Sequence, residues 1–63
     1  MSDDASLARW IDEVLADNPD EARRFLGGEK RLQGVLVGYV MKKSNGAADP
    51  KRLNQLLATR LGS

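Results

Sequence analysis

An all-α fold, a small bundle of three to four helices with a central apolar helix, is what this 63-residue sequence predicts. Three observations lead there. Apolar residues recur at helical spacing near both ends of the chain, in Leu7, Trp10, Ile11, Val14 and Leu15 and again in Leu53, Leu56, Leu57 and Leu61. Asn18-Pro19 and Asp49-Pro50 are pairs that start helices, with a polar cap followed by a residue whose fixed φ suits the first turn. The strand-like run Val35-Leu36-Val37 with Tyr39-Val40 has no second such run to pair with, and an unpaired strand would leave its backbone donors and acceptors unsatisfied.

Taken in order, the first helix is predicted over Asp4 to Asp17, with Asp3 and Asp4 at the end where the helix dipole favours carboxylates. Trp10 falls within its apolar stripe and is read as core rather than as a base-stacking platform. Asn18 as cap and Glu21 reaching back as a capping-box carboxylate predict a second, short helix. Its apolar edge is Ala22, Phe25 and Leu26, and Gly27-Gly28 ends it. That helix is too short and mixed in charge to be a DNA-recognition helix.

The third helix, Glu29 to Lys43, is apolar nearly all round between Gly34 and Met41, as a central helix covered by the others would be. Gly34 and Gly38, four apart, are expected to let a neighbouring helix of the domain approach closely. Lys42 and Lys43 suit the negative end of the helix dipole. Ser44-Asn45-Gly46 breaks the helix, and Asp49 and Pro50 open the fourth. Lys51 and Arg52 in that first turn oppose the dipole, which points to an anionic partner near this corner.

One domain, residues 1–63, is the most such a length supports. Without cysteine or histidine, disulfides, thiolate chemistry and the commonest neutral-pH acid–base group and metal ligand are excluded. No apolar run approaches the roughly 20 residues that span a bilayer. The start, Ser2-Asp3-Asp4, is acidic where a targeting segment would be basic, so a soluble, cytoplasmic chain is expected. The carboxylates could make a general acid–base pair or a hard-metal site, but they fall mostly on the exposed faces of the first two helices without a ligand-spaced loop. No Gly-rich phosphate loop is present, so neither catalysis by this chain alone nor a cofactor or metal is expected.

The net charge of +1 conceals an uneven distribution. Residues 1–22 carry seven acids against Arg9, a balance of −6, and residues 23–63 carry nine bases against Glu29 and Asp49, a balance of +7. Two readings follow: solvated helix faces that attract each other, or a basic face for an anionic partner. If the third helix ends beside the start of the fourth, Lys42, Lys43, Lys51 and Arg52 gather around the Ser44–Asp49 loop, with Lys30 and Arg31 as outliers. Four cations around a loop with free backbone N–H groups suit a phosphate backbone better than base edges. The alternative is a protein-interaction module, docking another domain through the acidic first helix or the basic corner.

The run Gly34-Val35-Leu36-Val37-Gly38-Tyr39-Val40-Met41-Lys42, then Gly46-Ala47-Ala48-Asp49-Pro50 and Leu53-Asn54-Gln55-Leu56-Leu57, closely resembles the C-terminal end of the B subunit of glutamyl/aspartyl-tRNA amidotransferase, the GatB/YqeY family. Val14-Leu15-Ala16-Asp17-Asn18-Pro19 resembles the same family's run-in, so the likeness extends from about Leu7 to Leu61. Stand-alone YqeY proteins are less similar, with a longer loop and usually glycine where Pro50 stands. The resemblance implies the last helical subdomain of a tail that reaches the tRNA elbow. The parent complex amidates Glu-tRNA(Gln) or Asp-tRNA(Asn), with its amidase and ATP-using sites in other domains and subunits. It therefore implies a non-catalytic piece whose partners are tRNA and the rest of the complex; separately, the piece is expected to be monomeric. Two departures bear on this: Asn45 and Ala47 stand where the family usually carries lysines, and Tyr39 stands where glutamine is frequent. Lys43 falls where a small residue is common and replaces one lost cation.

Overall fold

Four helices make up the computed structural model, which describes residues 3–62: α1 (Asp3–Asp17), α2 (Pro19–Leu26), α3 (Leu32–Lys43) and α4 (Pro50–Gly62). No strand occurs among the described residues. The Cα radius of gyration, 10.6 Å, is that of a fully collapsed chain of this length, which scales as about 2.2·N^0.38 Å. All three other helices pack on α3. Leu7, Ile11 and Val14 of α1, Phe25 of α2, Leu32, Leu36 and Val40 of α3, and Leu53 and Leu57 of α4 form one buried cluster, closed by Ala48 of the last loop. Trp10, Leu15, Tyr39, Leu56 and Leu61 pack at its edge, partly buried.

The junctions depart from the sequence reading in instructive ways. Asn18 does not cap α2 through its side chain. Its Nδ2 and its backbone N–H both donate to the Val14 carbonyl, at 2.9 and 3.0 Å, so it closes α1 instead. Glu21 is likewise no capping-box partner; its carboxylate accepts the Tyr39 hydroxyl at 3.3 Å and ties α2 to α3. Gly28 takes φ +119°, the conformation that lets the chain leave α2. Leu26 is 50% exposed rather than part of the buried edge.

α3 begins at Leu32, not Glu29. Residues 29–31 form a tighter turn, in which Leu32 and Gln33 N–H groups reach back three residues to Glu29 and Lys30. The Glu29 carboxylate is held from α2 by Arg24 Nε and Nη2 at 3.1 and 2.9 Å, and a side chain so committed fixes the turn.

The expectation of an all-round buried α3 is corrected by its own glycines. A Cβ at Gly34 or Gly38 would meet nothing within 4 Å. At 100° per residue Gly34 lies nearly opposite Leu32 and Leu36, and Gly38 nearly opposite Leu36 and Val40, and both face solvent beside Val35, which is 41% exposed. No neighbouring helix uses the space they leave.

Candidate nucleic-acid interface

The predicted corner is the α3–α4 connection, and it is folded from within. Ser44 is buried, its hydroxyl donates to the Met41 carbonyl at 3.2 Å, and it accepts the Ala48 N–H at 3.1 Å. Asn45 at φ 57° and Gly46 at φ 82° reverse the chain, and the Gly46 N–H returns to the Met41 carbonyl at 2.8 Å. Asn45 and Ala47 N–H groups are bonded to Lys42 and Ser44 carbonyls. The loop's N–H groups from Asn45 to Ala48 are therefore satisfied internally, and the expected supply of free donors for a phosphate is absent there. The end of the loop behaves as its sequence suggests: Asp49 Oδ1 accepts the Lys51 N–H at 3.0 Å, and Pro50 starts α4.

The six cations expected to meet a polyanion fall into two groups. Arg52 pairs with Asp4 at the start of α1, donating through Nε at 2.9 Å and through Nη2, and gives Nη1 to Gln55 Oε1 at 2.9 Å. Lys43 pairs with Asp17 at 3.3 Å and Glu13 at 3.6 Å, near the end of α1. Arg31 lies 3.6 Å from Glu29. Lys30, Lys42 and Lys51 are exposed and make no ion pair among the described residues.

Asp4 and Asp17 are thirteen residues apart on one helix, about 20 Å along its axis, so Arg52 and Lys43 are drawn in opposite directions. The four side chains of the corner thus do not converge on one point. The acidic first helix takes up Arg52 and Lys43, and Arg60 as well through Asp12 at 2.6 Å. This is the mutual attraction of the two charged halves that the sequence left open. Hydrogen bonds from Arg52 hold the Asp4 carboxyl below the ordinary carboxylate range, as those from Arg24 do for Glu29.

What the sequence reading missed is the outer face of α3. Gly34, Gly38 and Lys42 succeed one another at i, i+4 and i+8, all exposed. They form a strip bare of side chains that ends at Lys42, with Val35 on its flank. The signal was present in the spacing of the two glycines, but that spacing does not tell an inner face from an outer one.

Among the described residues no group of three or more His, Cys, Asp or Glu side chains is placed to hold a metal ion. No helix there is long and apolar enough to cross a membrane. Compared with known families, residues 1–61 match the GatB domain. The chain belongs to the GatB domain family. A relative from Parasynechococcus marenigrum, the B subunit of an aspartyl/glutamyl-tRNA(Asn/Gln) amidotransferase, is 51% identical over 61 residues. The B subunit of the same name from Thermosynechococcus vestitus is 54% identical over 61 residues. In both cases the match covers 97% of this chain and 12% of the relative, so this GatB domain spans about an eighth of the length of the curated relatives it matches. No solved structure matches the chain.

Proposed function

We propose that this GatB domain is a non-catalytic tRNA-docking module of the tRNA-dependent amidotransferase, seated on the phosphate backbone of the tRNA elbow during amidation of Glu-tRNA(Gln) or Asp-tRNA(Asn). The observation that carries the reading is the bare strip of α3. A glycine inside a helix costs roughly 0.5–1 kcal/mol relative to alanine, and at Gly34 and Gly38 nothing among the described residues uses the space gained. A partner whose backbone lies against the helix would use it. Lys42 at the end of the strip supplies a cation that makes no ion pair among the described residues. Phosphate contacts position such a partner without reading its sequence.

Lys51 and Lys30 add cations that make no ion pair among the described residues, and Lys43 and Arg31 join by exchanging carboxylates for phosphates. Exposed ion pairs hold their partners weakly, so that exchange meets little resistance. The names of the relatives agree with an RNA substrate for the parent enzyme.

Binding of transcribed tRNA, followed by anisotropy across a salt series, tests the reading. Affinity falls as salt rises, and Lys42→Ala weakens it and lowers the salt slope by about one. Gly38→Leu, placed in open space, obstructs binding while the helices remain. Affinity indifferent to salt and to both substitutions contradicts it. The second reading, docking of another protein domain, is favoured by one observation, the exposure of Leu26 and Val35. It requires binding that survives salt and fails in Val35→Ser.

A further inference from the structure

A hollow of the described surface lies away from the α3 strip, at the far end of the loop that follows Lys42. It is a half-open pocket of about 370 Å³ between the start of α1 and the start of α4, lined by Asp4, Ser6, Leu7, Trp10, Asp49 and Arg52 together with Ala47. That volume lies at the lower end of the ~300–1,000 Å³ typical of small-ligand sites. Its composition is specific. Leu7 is buried and supplies an apolar floor. Trp10, half-buried at the core's edge, and Arg52 are the two planar side chains of the wall, and both indole and guanidinium planes stack on bases. Arg52 is held in place by its bonds to Asp4 and Gln55, so the wall is pre-set.

Asp49 supplies the hydrogen-bonding edge. Its Oδ1 accepts the Lys51 N–H through one lone pair and keeps a second, and its Oδ2 makes no hydrogen bond among the described residues. A carboxylate only accepts. Guanine alone among the four bases offers two adjacent donors, N1–H and the N2 amine, on its Watson–Crick edge. Adenine, cytosine and uracil each place an acceptor lone pair against one carboxylate oxygen.

We infer that this pocket takes up an unstacked guanine base of the docked RNA, stacked against Trp10 and Arg52 and read at its Watson–Crick edge by Asp49. The inference rests on the RNA-docking reading. It adds a base-reading element to a surface otherwise limited to phosphates.

Trp10 is the only tryptophan, so its emission reports the pocket directly. The chain is titrated with guanosine monophosphate and adenosine monophosphate. It is then titrated with RNA hairpins carrying guanine, inosine or adenine at one loop position, recording Trp10 emission and RNA anisotropy together. The expected result is saturable quenching by guanosine monophosphate and by the guanine hairpin. Adenine ligands should bind at least about tenfold more weakly, and inosine, lacking the N2 amine, in between. Asp49→Asn keeps a capping side chain, so α4 and the circular dichroism spectrum stay unchanged. Its amide pairs with adenine, and preference should shift to the adenine ligands.

Hairpin binding by anisotropy with Trp10 emission unchanged overturns the pocket and leaves RNA docking standing. Equal quenching by both monophosphates, unaltered in Asp49→Asn, overturns the assignment to guanine. Selective quenching by guanosine monophosphate without any RNA binding overturns the RNA source and the docking reading together. No response in either signal overturns both.

Discussion

The two faces of α3 obey opposite rules. On the inner face Leu32, Leu36 and Val40 are 8%, 0% and 0% exposed, and their placement is explained by the bundle alone. On the outer face Gly34, Gly38 and Lys42 stand open, and no contact within the described bundle accounts for them. The first face is what a helix needs in order to fold. The second weakens the helix, and the proposed partner lying against it would account for that cost. Function in this small domain is therefore best sought where the fold gains nothing.

The contrast can be attacked from both sides. Leu36→Ala on the inner face should cost about 2–5 kcal/mol, enough to unfold much of a domain this small. A urea titration followed by circular dichroism reads it, and a loss below about 1 kcal/mol would mean α3 is not the centre of the core. Ser44→Ala, at the end of the same helix, removes the acceptor of the buried Ala48 N–H. That should cost about 1–3 kcal/mol in the same assay, through a donor left unpaired. Gly38→Ala on the outer face should do the reverse, raising stability by roughly 0.5–1 kcal/mol while tRNA affinity falls. Stability and binding moving together there would end the distinction between the faces.

The smallest effect concerns the paired cations. Asp4 and Glu29 titrate lower in the folded protein than in the unfolded chain. Their stabilisation is therefore present above the unfolded carboxylate pKa, near about 4, and is lost as pH falls through the folded value. Asp4→Asn with Glu29→Gln should flatten that acid limb of a pH-stability curve, whereas Lys42→Ala should leave it unchanged. A shift of the limb in Lys42→Ala would show that Lys42, too, serves the fold.

Much of the bundle was legible because its signals are local. The stripes of α1 and α4, the Asp49 cap and the proline starts each need only a few neighbouring residues. What was misread depends on a choice between competing local partners or on distant ones. Asn18 faces two helix ends at once, and it took the Val14 carbonyl. Glu21 had a capping box on offer and took Tyr39, 18 residues on. Arg52 meets Asp4 across 48 residues and Lys43 meets Asp17 across 26, separations that no spacing rule reaches. Gly34 and Gly38 misled for another reason: a residue without a side chain gives no sign of which way it faces.

The most direct measurement is an NMR titration of the uniformly ¹⁵N-labelled chain with transcribed tRNA at low and high salt. The amides of Gly34, Gly38 and Lys42 should shift together and return toward their free positions as salt rises. Shifts centred on Leu26 and on the acidic face of α1, unmoved by salt, would contradict a docking strip on α3.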